Sequence, residues 1–481
     1  MKKLLIQKYF NGGISESEKE GARGSFYFSN NLDIYSDSSK LSLNSLTTKN
    51  SGTTVVDLVK WIKAGTPYST NTYFYGNAGH VYVRASNGTW TDLQTTSNSY
   101  GQGFEIYNDY LYYTQNTQIG RYGTLSGTPA FDDDWQTGLN DTSTTKFAPI
   151  KAFQAGFAVG HGNYLGWWDG SVWDTDRIVL PPGFNIRTLD VLDEYLVIGA
   201  WRGTAITDTE DGYLVFWDGT STYANFFIRV PDGAVSAMIN SRNRLLSTYG
   251  SSGNLYLGYN PFQKVAQIPK LTNTKYIDVY PGAITNWKGL TLIGVAGATD
   301  SASIYQGIYQ YGTKNDKYGE ALNFGYTISS GNTSATNISI GSVQGFGDEL
   351  YIGWKDNTTY GVDRIIQTAS PFATGTWESL IFDDGSVGRD KLALVIKVNH
   401  LPLVSGESIQ LGYKTNRASS YTTDTANSTV GSTETRLPIK ASAARFREFQ
   451  FEVVLATSGS TSPTVTEVSL LYDNLLEEAK Y

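Results

Sequence analysis

Along most of the chain, apolar residues alternate with polar ones in short runs, and Gly, Asn, Asp and Ser separate the runs. Period-two alternation between turn formers predicts β-strands. The i, i+3, i+4 spacing of an amphipathic helix is nearly absent. Residues 55–63 (VVDLVKWIK) read both ways, because Val55, Leu58, Val59 and Ile62 share a helical face while the same letters suit a strand. Residues 473–481 read as a frayed end rather than a helical turn.

A larger pattern overlies the alternation. A short apolar or aromatic strand and a Gly are followed by a second aromatic strand closed by Asn-Gly, Asp-Gly or a lone Gly. The phrase occurs at 72–79 (TYFYGNAG), 110–123 (YLYYTQNTQIGRYG), 157–170 (FAVGHGNYLGWWDG), 195–219, 244–258, 290–312 and 350–363. Its steps of about 37 to 60 residues match the repeat length of a propeller blade, with the longer steps carrying insertions. The expected fold is therefore all-β: a β-propeller of about seven blades over 51–385, preceded by an N-terminal arm over 1–50.

Beyond residue 386 the rhythm changes. Longer alternating runs at 391–398, 408–413, 436–439, 448–455 and 465–472 are what a C-terminal antiparallel β-sandwich over 386–481 requires. Residues 417–435, nearly all Ser, Thr, Ala and Asn, are expected as a long loop or exposed edge hairpin. The main insertions fall at 298–307 and 315–337, where loops on a rigid frame offer room for recognition.

Composition narrows the chemistry. Only 17% of residues are charged, so the polar surface must come from Ser, Thr, Asn, Gln, Gly and Tyr. A net charge of -8 without a Lys/Arg cluster argues against nucleic acid as a partner. The absence of cysteine excludes disulfides, thiolate metal sites and cysteine nucleophiles. The dispersed His80, His161 and His400 make a histidine metal site improbable, and no metal or cofactor is expected. The apolar stretch 4–6 is too short for a secretory signal, and no run is long enough to span a bilayer. Synthesis and folding in a cytoplasm, without membrane insertion, are expected.

Candidate sites are few. Trp168-Asp169-Gly170 and Trp217-Asp218-Gly219 suit type I′ hairpin turns, which account for Asp169 and Asp218 without catalysis. Asp132, Asp133 and Asp134 read as a loop cluster, and Asp193-Glu194 as a turn before a strand. None forms a persuasive pair of facing carboxyl groups, as a glycoside hydrolase needs. There is no G-x-S-x-G elbow and no phosphate cradle. No catalytic residue is expected, although a glycan-active propeller enzyme or a lectin stays open as an alternative. Trp167, Trp201, Trp287 and Trp354 are candidates for stacking on a sugar or partner, while blade packing is the favoured account of each aromatic taken singly, with one or two expected to be exposed for contact.

The opening residues add a family. Gly12, Gly13 and Ile14, then Asn31, Leu32 and Asp33, resemble the start of propeller-type virion and tail proteins of tailed bacteriophages, where Gly-Gly-Ile leads through Asn-Leu-Asp into the repeats. The Trp-Asp-Gly hairpins and the terminal sheet pattern extend this resemblance along the chain. It implies a non-enzymatic structural component of a virion, made in the host cytoplasm, within the tail or host-attachment apparatus. The partners it implies are other virion subunits, further copies of the chain, and a host surface glycan or receptor.

Overall fold

The computed structural model describes residues 2–96, 98, 100–140, 147–203, 205–207, 211–269, 274–299, 306–314, 319–330, 338–366, 369–385, 388–439 and 445–475. Every regular element among the described residues is a β-strand. Two compact units result: one comprises Thr48–Ile308 and Ile328–Arg364, the other Met1–Thr47, Tyr309–Thr327 and Ile365–Tyr481. This division differs from the expected 1–50, 51–385 and 386–481, because the opening residues share a unit with the closing ones.

In the larger unit, five four-stranded antiparallel sheets follow one another. They open with Val59–Ala64, Gly103–Tyr107, Ile150–Phe153, Phe184–Leu192 and Val235–Ser241. Each opening strand packs on that of the next sheet, and the succession continues through Ile284–Trp287 and Ile338–Phe346 back to Val59–Ala64. The ring thus closes on itself. Thr48–Lys49 pairs with Asp363 and Arg364, so a strand from the start of this unit completes the sheet at its end.

Glycine permits the inner strands to come so near. A Cβ on Gly103 would stand 2.0 Å from the Ala148 carbonyl oxygen, and one on Gly282 would stand 2.0 Å from that of Lys60. Between neighbouring sheets lie aromatic layers such as Trp61, Tyr73, Tyr75, Phe104 and Tyr113. Burying each such ring contributes roughly 2 kcal/mol or more.

Residues 55–63 contain no helix. Val59–Ala64 is a strand, with Val59 and Ile62 buried against Phe74 and Tyr351, because the ring needs an edge there to pair with Thr72–Gly76. Type I′ backbone occurs at Asn108-Asp109 and Arg242-Asn243, where both central residues have positive φ and the flanking residues pair directly. The Trp-Asp-Gly turns do not take this form. At Gly170 and Gly219 only the glycine has positive φ.

The smaller unit contains two principal sheets. In one, Val465–Asn474 lies between Lys2–Gln7 and Lys391–His400, and Glu434–Pro438 follows. The other runs Phe28–Asn30, Thr374–Glu378, Phe449–Thr457, Glu407–Thr415 and Thr422–Thr423. Alternate residues on these strands are buried: Ile396 and Val398, Ile409 and Leu411, Val453 and Leu455, Val468 and Leu470. Trp377 is buried in contact with Phe10, Phe26 and Phe451. Residues 417–435 are mostly exposed, as expected, and hold the short edge strand Thr422–Thr423. Much of the insertions, at 300–305, 315–318 and 331–337, and the tail 476–481 lie outside the described residues.

Candidate functional site

The Asp residues that most resemble catalytic groups cap turns. Asp169 Oδ1 accepts from the Ser171 and Val172 amides at 2.8 and 2.7 Å. Asp218 Oδ1 accepts from the Thr220 and Ser221 amides at 2.8 and 2.7 Å, and its Oδ2 from Ser221 Oγ and Asn225 Nδ2. Hydrogen bonds to the ionised form hold both carboxyls below the usual range: those from the Val172 and Ser171 amides for Asp169, those from Ser221 first for Asp218. A carboxyl held ionised in this way cannot serve as a general acid near neutrality.

Asp132, Asp133 and Asp134 stand in the strand Ala130–Thr137, correcting the expected loop. Asp133 accepts from the Tyr113 hydroxyl and from Gln94 Nε2, and Asp132 pairs with Arg121 at 3.1 Å. Asp193, at φ 52°, makes the expected turn.

Three of the four tryptophan candidates are buried, which removes them as open contact surfaces. Trp167 is 9% exposed with its ring edge-on to Trp217 at 5.3 Å, and Trp201 is 5% exposed. Trp354 is 1% exposed and donates Nε1–H to Asp363 Oδ1 at 2.6 Å. Only Trp287 keeps partial exposure. Its Nε1 donates to the Gly347 carbonyl at 2.9 Å, and Lys288 Nζ lies 4.8 Å from its ring centroid.

The charged residues that do converge lie on the inner strands of the ring. A cavity of about 260 Å³ is lined by Lys63, Glu105, Lys151, Asp190, Thr285 and Gln344 among others. Lys63 Nζ bonds Glu105 at 2.8 Å, and Lys151 Nζ meets Asp190 at 2.6 Å. Asp190 also accepts from the Asn240 amide at 2.5 Å. Burial pushes the Lys151 ammonium down, but Asp190 and Glu105 more than offset that and leave it raised. Both acids of this cavity are thus matched to ammonium groups.

Three residues earlier on the same strands as Lys63 and Asp190 come Lys60 and Arg187. Arg187 is buried and donates to Asp278 Oδ1 at 2.6 Å, to the Ser236 carbonyl at 3.0 Å and to the Val279 carbonyl at 3.3 Å. Its guanidinium carbon lies 4.9 Å from the Phe147 ring centroid and 5.7 Å from that of Trp201. Lys60 Nζ faces Phe147 at 4.7 Å and Tyr280 at 5.5 Å. Burial, with the Arg187 charge second, brings the Lys60 ammonium down to about 8, against the pull of Asp278 and Asp57. Sequence reading missed this set. Its signal was a charged residue interrupting the first apolar strand of successive repeats, as in VKWIK, FEIY, IKAF and NIRTLDVL.

A closed ring of antiparallel sheets around such an interior makes the larger unit a β-propeller. No family model and no curated protein matches the chain. Among solved structures, the WD40 domain of Neurospora crassa Pan2 aligns with TM-score 0.42 and 8% identity, over 66% of this chain and 91% of that one. The extracellular domain of a hybrid two-component system from B. thetaiotaomicron aligns with TM-score 0.45 and 14% identity, over 75% of this chain and 45% of that one.

Proposed function

We propose that the chain is a non-enzymatic structural component of a tailed-bacteriophage virion, in the tail or host-attachment apparatus, built from a seven-bladed propeller and a C-terminal β-sandwich. The observation that carries this reading is that the residues of the phage resemblance are framework residues. Gly13, at φ 77°, lies where a Cβ would stand 2.9 Å from Leu322 backbone atoms. Asn31 Oδ1 accepts from the Thr327 amide at 2.9 Å, the Leu32 carbonyl accepts from Asn323 Nδ2 at 2.8 Å, and Asp33 caps the Tyr35 amide at 2.8 Å. A motif devoted to joining distant segments suits a protein selected for rigidity in an assembly.

The succession of seven inner strands supports the blade count, and the alternating burial in the two principal sheets of the smaller unit supports the sandwich. Against the glycosidase alternative stand the ammonium partners of Glu105 and Asp190. Neighbouring virion subunits are the proposed partners, with a host glycan or receptor at an exposed face. Mass spectrometry of purified particles tests the proposal: the chain should appear at fixed copy number, and its consistent absence would overturn it.

A further inference from the structure

We propose that the propeller interior binds a small oxyanion, a carboxylate or phosphate group, at Lys60 beside Phe147, Tyr280 and Arg187. The inference rests on donors and acceptors counted inside the ring and does not depend on the virion reading.

Three of the four inner-strand cations already have carboxylates: Lys63 has Glu105, Lys151 has Asp190 and Arg187 has Asp278. Lys60 has no hydrogen-bonding or ion-pair partner among the described residues, although its ammonium carries three donors. Its neighbours Phe147 and Tyr280 offer ring faces, which favour a cation but cannot accept its N–H groups as an oxygen would. Arg187 lies over the same two rings, at 4.9 and 5.9 Å, and of the two acids whose charge reaches Lys60, Asp278 is engaged by Arg187 and Asp57 by the Ala78 amide and the Tyr82 hydroxyl.

Two indoles whose rings contact Phe147 and Arg187 also carry donors without acceptors. The indole Nε1 atoms of Trp61 and Trp201 are buried without a hydrogen-bond partner, in residues 7% and 5% exposed. The Trp61 ring meets Phe147 edge-on at 6.2 Å, and the Trp201 ring lies under Arg187. N–H donors without acceptors, beside a cation that no acid bonds and walled by aromatics, suit a ligand that only accepts hydrogen bonds and carries negative charge. A metal ion or an ammonium ligand would meet repulsion here.

The full chain is titrated with inorganic phosphate and, separately, with acetate at constant ionic strength, following Tm and heat of binding. We expect a saturable response to at least one anion; phosphate alone assigns a phosphate group, acetate alone a carboxylate. Lys60→Met should weaken the response at least tenfold, whereas Lys63→Met, which removes a cation already paired, should keep it. The response of the wild type should fade as pH rises through about 8, where Lys60 loses its proton among Arg187, Asp278, Asp57 and Tyr280. Lys60→Arg should bind through that range without fading, which tests the site even if the methionine variant folds poorly. Equal responses from wild type and Lys60→Met, or no saturable response to either anion, would overturn the proposal.

Discussion

The turns at Asp169 and Asp218 and the interior of the ring place charge under opposite conditions. At the turns, each carboxylate faces water and is satisfied by amides two and three residues ahead. In the interior, Arg187 reaches Asp278 and Lys63 reaches Glu105, across gaps that only the closed ring brings together. The contrast teaches that a conspicuous motif need not mark an energetically important charge. Removing a turn acid returns a few amides to solvent, whereas removing an interior one strands its partner in a poorly solvated place.

Arg187→Ala should have the largest effect, because it leaves Asp278 and the Ser236 carbonyl without their donor in a buried site. A loss of about 3–5 kcal/mol is expected from denaturant unfolding, and a loss comparable to a turn variant would erase the distinction. Next is Asp363→Ala, which removes the acceptor for Trp354 Nε1 and for the Ser329 amide and hydroxyl at a cost of about 2–3 kcal/mol.

Asp363 also sharpens the comparison through pH. Burial raises its carboxyl from 3.8 to about 6 despite the hydrogen bonds it accepts. Below 3.8 both folded and unfolded chains hold that proton; between 3.8 and 6 only the folded chain does. Its contribution is therefore lost as pH rises through this window, and Asp363→Ala should flatten that part of the stability profile.

Lys60→Met should move the other way. The folded chain releases the Lys60 proton near 8 and the unfolded chain near 10.5, so stability should rise with pH across that interval. At pH 7, without added anion, the methionine variant should be more stable by roughly 1–2 kcal/mol, after discounting for the solvent that reaches this half-buried side chain. The smallest effect is assigned to Asp218→Ala: a Tm lower by about 2 °C or less, because the lost bonds are exchanged for water. A larger fall would mean that the turn acids support more than their own loops.

Local chemistry was legible in the sequence and long-range chemistry was not. The sheets of the larger unit could be read because strand, Gly and turn lie within one repeat, and the turn role of Asp169 and Asp218 because their partners are two and three residues away. The turn type was misjudged: Asp-Gly dipeptides permit type I′ backbone but do not demand it when the aspartate side chain can bond the loop itself. Blade packing is the favoured account of each tryptophan, but which one keeps exposure depends on partners in other sheets, as Trp167 meets Trp217 in the next one. The expected propeller span of 51–385 includes Thr374–Glu378, yet this strand pairs with Phe449–Thr457 and Phe28–Asn30, which lie far away in sequence. The interior cations were visible as letters, but their pairing needed the ring.

The pairing of Lys2–Gln7 with Val465–Asn474 also has a consequence in time. The ribosome makes one edge of that sheet hundreds of residues before its partner, so the early strand must wait, exposed, while the intervening sheets form. Leu4 and Ile6 remain 56% and 42% exposed even after pairing, which makes the waiting segment apolar and open to mispairing. A chain arrested before residue 465 would carry a finished ring and an unmatched edge, a difference that a chaperone or protease can read as a record of incomplete synthesis.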